Sequence, residues 1–305
     1  MKTLNKLKKA AEFLASHGIE SAEKEAEMLV RHGLGISTAK IYSDNPELSE
    51  EQTVALGNML IRRLRREPVQ YILGYEEFLG LKLLVGPGVL IPRPETELMA
   101  EQAIKTVNSN KLQVTSKNKS LPLVPRPLSL VPCPSSLSIL DLCTGSGCLA
   151  LALAKEFHDC QVYGTDISET AIEYAKKNAI INDIKNVTFL RGNLFEPLKK
   201  LFIFDLIISN PPYVRTGDIK SLQPEIKDWE PVDALDGGAD GLGFYRELIP
   251  AAKSFLKDSG IIMLEVGAGQ SGRVADIIKS SGYELLEIIK DYAGIERIIK
   301  AKWKR

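Results

Sequence analysis

The stretch SILDLCTGSG (138–147), continued by CLALALAKEF (148–157) and closed by QVYGTD (161–166), decides the fold. Ser138–Leu142 is an apolar run too short for a helix and predicts a buried strand. Small residues follow it, then a helical pattern over Gly147–Phe157, then a second strand over Gln161–Asp166. Cys143, Thr144, Gly145, Ser146 and Gly147 therefore sit at a strand tip, where small side chains let the backbone approach a ligand. A phosphate loop would place a Lys after its last glycine, and a dinucleotide fingerprint would space three glycines as GxGxxG. Here Cys148, Leu149 and Ala150 follow instead. A bound phosphate or pyrophosphate is disfavoured, and a tight strand-to-helix turn with no ligand stays open on this stretch alone.

Beyond Asp166 helix and strand alternate. Glu169–Asn182, Phe244–Leu256 and Ser271–Ser280 read as helices. Val187–Arg191, Phe204–Ser209, Gly260–Val266, Glu284–Lys290 and Glu296–Lys302 read as strands. The expected fold is α/β, a doubly wound, mostly parallel seven-stranded sheet that takes its ligands at the C-terminal ends of its strands. Asp166 ends the second strand nineteen positions beyond Gly147, where a carboxylate can accept hydrogen bonds from both ribose hydroxyls. Its competing role is to cap the following helix, for which Ser168 is itself well placed.

The fourth strand ends in Asn210-Pro211-Pro212-Tyr213, a tetrapeptide that chance gives in about one chain of this length in a thousand. Two prolines fix the backbone and carry no N–H. The Asn210 side-chain oxygen and the Pro211 carbonyl can then face a ligand as acceptors while Tyr213 offers a flat face. Two acceptors and a flat face suit a planar NH2 group. The alternative is a rigid loop that merely ends the strand.

Upstream, residues 1–70 show helical spacing. One helix runs through Leu4, Leu7, Ala11 and Leu14 before Gly18, and a second through Ala22, Ala26, Leu29 and Val30 before Gly33. A third follows the Ser49/Gln52 capping box until Pro68. Its four arginines, Arg62, Arg63, Arg65 and Arg66, read as a solvated helix end, with a partner-binding patch as the lesser alternative. Residues 71–92 read as a β-hairpin linker and 93–305 as the sheet domain. Residues 106–137, rich in Ser, Pro, Asn and Lys, read as a flexible insertion that could alternatively offer extended chain to a groove.

Composition sets outer limits. Hydrophobic residues make up 44% and charged residues 26%, so a core can be buried. Thirty-nine basic and thirty-nine acidic residues cancel, which argues against binding to nucleic acid through a phosphate-seeking field. No apolar run spans a bilayer and the start lacks a secretory pattern, so a cytoplasmic protein without membrane association is expected. Cys133, Cys143, Cys148 and Cys160 contain no CxxC pair and His17, His32 and His158 are scattered, which suggests neither a metal site nor a disulfide framework.

With these residues in view the chain resembles the class I S-adenosylmethionine-dependent methyltransferases that carry NPPY, a Rossmann-like fold. EPVQYILG (67–74), Glu77-Phe78, PGVLIPRPETE (87–97) and the helical N-terminus resemble more closely the peptide chain release factor glutamine methyltransferases. The resemblance implies methyl transfer from S-adenosyl-L-methionine, leaving S-adenosyl-L-homocysteine, to the glutamine of a Gly-Gly-Gln motif in class I release factors. A small all-helical domain would grip the release factor. It also implies that Asn210, Pro211, Pro212 and Tyr213 form the catalytic motif. Cys143, Thr144, Gly145, Ser146, Gly147, Asp166, Leu194 and Asn210 would hold the cofactor. Cys143 stands where many members have glycine, and Asn193-Leu194-Phe195 where members often have an acidic residue and an aromatic beside the adenine. Two other readings use the same motifs: methylation of an adenine amine in nucleic acid, and a non-catalytic adaptor that only binds the cofactor and the release factor.

Overall fold

The computed structural model describes residues 2–115, 137–198 and 202–304. The chain divides into two compact units. One comprises Met1–Glu76, Val85–Pro87 and Leu222–Glu230, and the other Glu77–Leu84, Gly88–Ser221 and Pro231–Arg305.

The first unit holds α1 (Thr3–Ser16), α2 (Ala22–Leu34), α3 (Thr38–Asp44), α4 (Glu50–Leu64) and α5 (Val69–Leu73). Leu14, Ala26, Leu29 and Ile41 are fully enclosed in its core, which is what makes these short amphipathic helices stable together. The capping box forms as its sequence indicates: the Gln52 N–H donates to Ser49 Oγ (3.1 Å) and the Ser49 N–H to Gln52 Oε1 (3.0 Å).

Three expectations change here. The second helix passes Gly33 and stops at Gly35, whose left-handed backbone (φ 65°) closes it. The supposed hairpin over 71–92 begins with α5, because Val69, Tyr71, Ile72 and Leu73 are all buried and a one-turn helix ended by Gly74 can bury them. Of the four arginines at the end of α4, Arg65 is exposed as expected, but the other three are ion-paired. Arg63 is 4% exposed, with Glu25 on one side and Glu225 Oε1 at 2.8 Å on the other; Arg66 also reaches Glu225 and Arg62 pairs with Glu67.

The hairpin that does form joins β1 (Tyr75–Phe78) and β2 (Leu81–Leu84). Leu79 (φ 46°) and Gly80 (φ 69°) make the two-residue turn that right-handed strand twist requires. α6 (Pro94–Thr115) follows, with Pro94 at its start and Glu95 and Glu97 in its first turn. It continues through 106–115, which the sequence assigned to the insertion; residues 116–136 of that segment lie outside the described residues.

The second unit is built on β3 (Ser138–Leu142), α7 (Cys148–Glu156), β4 (Gln161–Asp166), α8 (Glu169–Ile181), β5 (Val187–Arg191) and β6 (Phe204–Ser209). After α9 (Pro224–Lys227), which belongs to the first unit, come α10 (Gly243–Ala252), β7 (Leu256–Glu265), α11 (Ser271–Ser280), β8 (Tyr283–Lys290) and β9 (Glu296–Trp303). The seven-stranded sheet has the order β5-β4-β3-β6-β7-β9-β8, parallel except for β9, which runs antiparallel to both its neighbours. Alternate residues feed two cores: Ile139, Val162, Ile208 and Met263 face one, and Leu140, Tyr163, Ile207 and Leu264 the other. Both faces are thus covered, as parallel strands require. α10 stops at Ala252 rather than running on to Leu256, because Leu256 already pairs with Phe204 in the sheet. Among the described residues no helix is long and apolar enough to cross a membrane.

Candidate active site

Three strand tips meet because of register. Leu142, the last residue of β3, pairs with Thr165 of β4 on one side and Ser209 of β6 on the other. Adjacent strands lie about 4.8 Å apart, so the loop after Leu142, the carboxylate of Asp166 and the amide of Asn210 are neighbours, although they are far apart in sequence.

On the β3/β4 side the backbone does most of the positioning. Cys143 (φ 56°) and Gly145 (φ 56°) both turn left-handed, and a Cβ at Gly145 would meet no atom within 4 Å. The Gly145 N–H donates to Asp166 Oδ2 and the Ser168 N–H to Asp166 Oδ1, each at 2.9 Å. Each oxygen keeps a further lone pair, and the two backbone donors fix the orientation of the fork. Burial pushes the Asp166 pKa up, against these backbone bonds, which pull it down. Ser168 takes the capping role, accepting from the Ala171 N–H at 3.2 Å.

Thr144 and Asp141 pin the loop from below. The Thr144 hydroxyl donates to Asp141 Oδ2 (2.6 Å), which also accepts from the Ala150 N–H at the start of α7 (3.2 Å). Burial drives the Asp141 carboxyl up to about 7. Asn178 accepts from Leu84 N–H and donates to the carbonyls of Ser146 and Leu84, which ties the loop to β2 and α8. Gly147 starts α7 with a left-handed backbone. Leu194, beyond β5, is also left-handed (φ 44°) and buried, its carbonyl accepting from Thr165 Oγ1 at 2.8 Å.

On the β6/β7 side, side chains do the positioning. The Asn210 amide donates through Nδ2 to Thr96 Oγ1 (3.1 Å), and the Thr96 hydroxyl donates to Glu265 Oε2 (2.8 Å). Tyr213 Oη lies 3.4 Å from Glu265 Oε1. Burial pushes Glu265 up to about 7, against the hydrogen bonds from Thr96 and Tyr213. Tyr213 is raised too, by burial and by Glu265. Pro211 and Pro212 are buried. Behind the motif, Gln270 Nε2 donates to the Tyr213 carbonyl at 2.8 Å while its Oε1 accepts from the Gly267 N–H. Gly241 (φ 73°) packs so closely that a Cβ there would sit 2.5 Å from the Tyr213 carbonyl oxygen.

Every residue singled out at these tips is thus gathered at the C-terminal edge of one sheet. Thr96, Glu265, Gln270 and Gly241 were not identified from sequence as site residues. The run PGVLIPRPETE contains Thr96 and marked a segment of interest without a chemical role, and DGGADGLG (236–243), with four glycines in eight residues, signals close backbone packing. Among the described residues no group of three or more His, Cys, Asp or Glu could hold a metal ion, and Cys143, Cys148 and Cys160 are free thiols.

Residues 5–74 match the PrmC N-terminal domain model and residues 134–275 a methyltransferase domain model. A methyltransferase structure from Pyrococcus furiosus shares the fold at a TM-score of 0.50 and 19% identity, covering 85% of this chain and 100% of its own. Release factor glutamine methyltransferase from Thermodesulfovibrio yellowstonii is 45% identical over 276 residues, 90% of this chain and 91% of the relative. The protein of that name from Geobacter sulfurreducens is 39% identical over 94% of this chain and 92% of its own length. The chain, with its helical N-terminal segment and its NPPY-bearing methyltransferase sheet, belongs to the release factor glutamine methyltransferase family.

Proposed function

We propose that this protein transfers a methyl group from S-adenosylmethionine to the side-chain amide nitrogen of the glutamine in the Gly-Gly-Gln motif of class I release factors, in the cytoplasm and without a nucleic-acid substrate. The reading rests on family membership and on one observation: the Asn210 amide is held by Nδ2, while its Oδ1 accepts no hydrogen bond among the described residues. An acceptor held beside the Gly145 loop suits a donor NH2 group.

The residues fit the cofactor. Asp166 retains acceptor capacity for two ribose hydroxyls, Gly145 leaves room above the loop, and the lack of a Lys after Gly147 matches a ligand without phosphate. Cys143, Thr144, Ser146 and Gly147 shape the rest of the loop, and Leu194 lines the adenine side. The cofactor supplies an electrophilic methyl group on a sulfonium. An amide nitrogen is a weak nucleophile because its lone pair is delocalised into the carbonyl, so orientation carries most of the catalysis. Asn210 Oδ1 and the Pro211 carbonyl accept from the two amide hydrogens, Pro212 holds the backbone rigid, and Tyr213 packs on the amide plane. The nitrogen becomes acidic as its bond to the methyl carbon forms and the sulfonium C–S bond breaks, and it then loses its proton to water.

The direct test offers labelled S-adenosylmethionine with a class I release factor, with the same factor lacking the Gly-Gly-Gln glutamine, or with duplex DNA. Label on the intact factor alone is expected; label on DNA would replace the reading with adenine methylation, and cofactor binding without transfer would replace it with an adaptor.

The helical unit is the docking element in this proposal. Val54 and Ile61, seven residues apart on α4, are more than half exposed and share one helix face. Replacing both by Asp is expected to raise the KM for release factor about tenfold, a loss of about 1.4 kcal/mol, with cofactor affinity unchanged by calorimetry. An unaltered KM would place docking elsewhere.

A further inference from the structure

An asparagine side chain has two nearly isosteric orientations, and only one presents its oxygen to the substrate. Rotating the Asn210 amide by half a turn would put Nδ2, a donor, where the proposed mechanism needs an acceptor. Something must select between the two, and the chemistry of its neighbours does so. Thr96 has a single hydroxyl hydrogen. An ionised Glu265 can only accept, so that hydrogen is committed to Glu265 Oε2 at 2.8 Å. The Thr96 oxygen is then an acceptor toward Asn210, and only Nδ2 satisfies it.

The geometry points to Thr96 and Glu265 as positioning residues that lock the Asn210 amide with Oδ1 toward the substrate, through a hydrogen-bond relay with one permitted polarity. This rests on the glutamine-methylating reading for its consequence in turnover, though the lock itself is made by the chain's own residues. Glu265 is 1% exposed and Thr96 equally enclosed, so water does not compete for their bonds. The Tyr245 hydroxyl anchors the strand end by donating to the Glu265 carbonyl at 2.7 Å.

Protonating Glu265 removes the selection. A carboxylic acid can donate to Thr96, which can then donate to Asn210 Oδ1, so both amide orientations become permissible. The groups that bear on Glu265 are Glu95 from the start of α6, which opposes its ionisation, Arg297 from β9, which favours it, Tyr213, and on the far sides Tyr245 of α10 and Cys148 of α7. With Glu265 titrating at about 7, turnover should rise with pH through that region, because the ionised form is the one that fixes the amide.

The test has an activity arm and an arm independent of activity. Thr96→Val, which keeps shape but removes the relay, should lower kcat about tenfold at saturating S-adenosylmethionine while leaving the cofactor Kd within about twofold; Thr96→Ser should restore it. Glu265→Gln permits both polarities at every pH, so its kcat should be reduced and should lose the rise between about pH 6 and 8. In parallel, 15N-asparagine labelling follows the side-chain amide signals of Asn210, assigned by their absence in Asn210→Ala. In the wild type they should be shifted by the same titration, and in Thr96→Val they should not be. Wild-type kcat in a folded Thr96→Val protein, or Asn210 signals indifferent to Thr96 and pH, would overturn the lock. Signals that respond as expected in a protein that fails to methylate release factor would support the lock and overturn the functional reading instead.

Discussion

The two halves of the site share one sheet edge and solve the same problem by different means. At the tips of β3 and β4 a carboxylate is held by main-chain N–H groups from Gly145 and Ser168, all within 24 residues of chain beginning at Gly145. At the tips of β6 and β7 an amide is held by side chains separated by 114 and 169 positions, from Asn210 to Thr96 and from Thr96 to Glu265. A main-chain cradle tolerates changes of side chain, since its donors belong to the backbone. A side-chain relay fails when one link is exchanged. Changes to side chains that only shape the loop should therefore leave ligand binding nearly intact on the first side, whereas exchanging any link of the relay should lower turnover on the second.

The sharpest division comes from Asn210→Ala. Loss of a preorganised hydrogen-bonding group is expected to lower kcat about 10²–10³-fold at saturating cofactor, with a smaller effect on cofactor affinity. Near wild-type turnover in the folded variant would erase the distinction between the halves. Asp166→Ala is expected to weaken S-adenosylmethionine binding by about ten- to a hundredfold in titration calorimetry, through the loss of charge-assisted hydrogen bonds, while kcat at saturation changes much less. An unchanged Kd would move the ribose site away from β4.

The smallest effect is expected at Cys143. Its left-handed backbone costs a non-glycine residue about 1–2 kcal/mol, but its side chain packs on one of the two cores of the sheet and glycine adds entropy to the unfolded chain. Cys143→Gly should shift unfolding free energy by less than about 1 kcal/mol, read by urea denaturation, and leave Kd unaltered. A large change in Kd would mean that the cradle depends on this side chain after all.

The same contrast explains what was legible in the sequence. The strands Ser138–Leu142, Gln161–Asp166, Val187–Arg191 and Phe204–Ser209 were read at their observed bounds, because strands of this parallel sheet are short apolar runs that end in small or polar residues. The Gly145 loop, Asp166 and Asn210 were legible for the same reason: each immediately follows or ends such a run. Thr96 and Glu265 were not, since nothing local distinguishes a threonine in the first turn of α6 from a helix-start residue, or a glutamate ending β7 from a solvated one. Their roles exist only once β6 and β7 lie side by side. Arg63 misled in the other direction, because its partner Glu225 is 162 positions away and a run of arginines at a helix end is ordinarily solvated.

That arginine has a consequence for anyone who treats the helical segment as a cassette. The first unit is not contiguous: the chain changes unit after residues 76, 84, 87, 221 and 230. A chimera carrying only 1–76 would bring Arg63 and Arg66 without Glu225, and the recipient of the remainder would inherit Glu225 with neither arginine. The helical piece would keep Arg63 paired with Glu25 but leave Arg66 without its carboxylate, and the remainder would carry Glu225 without either of the arginines that hold it. Residues 222–230, a short stretch on the far side of NPPY, must travel with the helices for either piece to be whole.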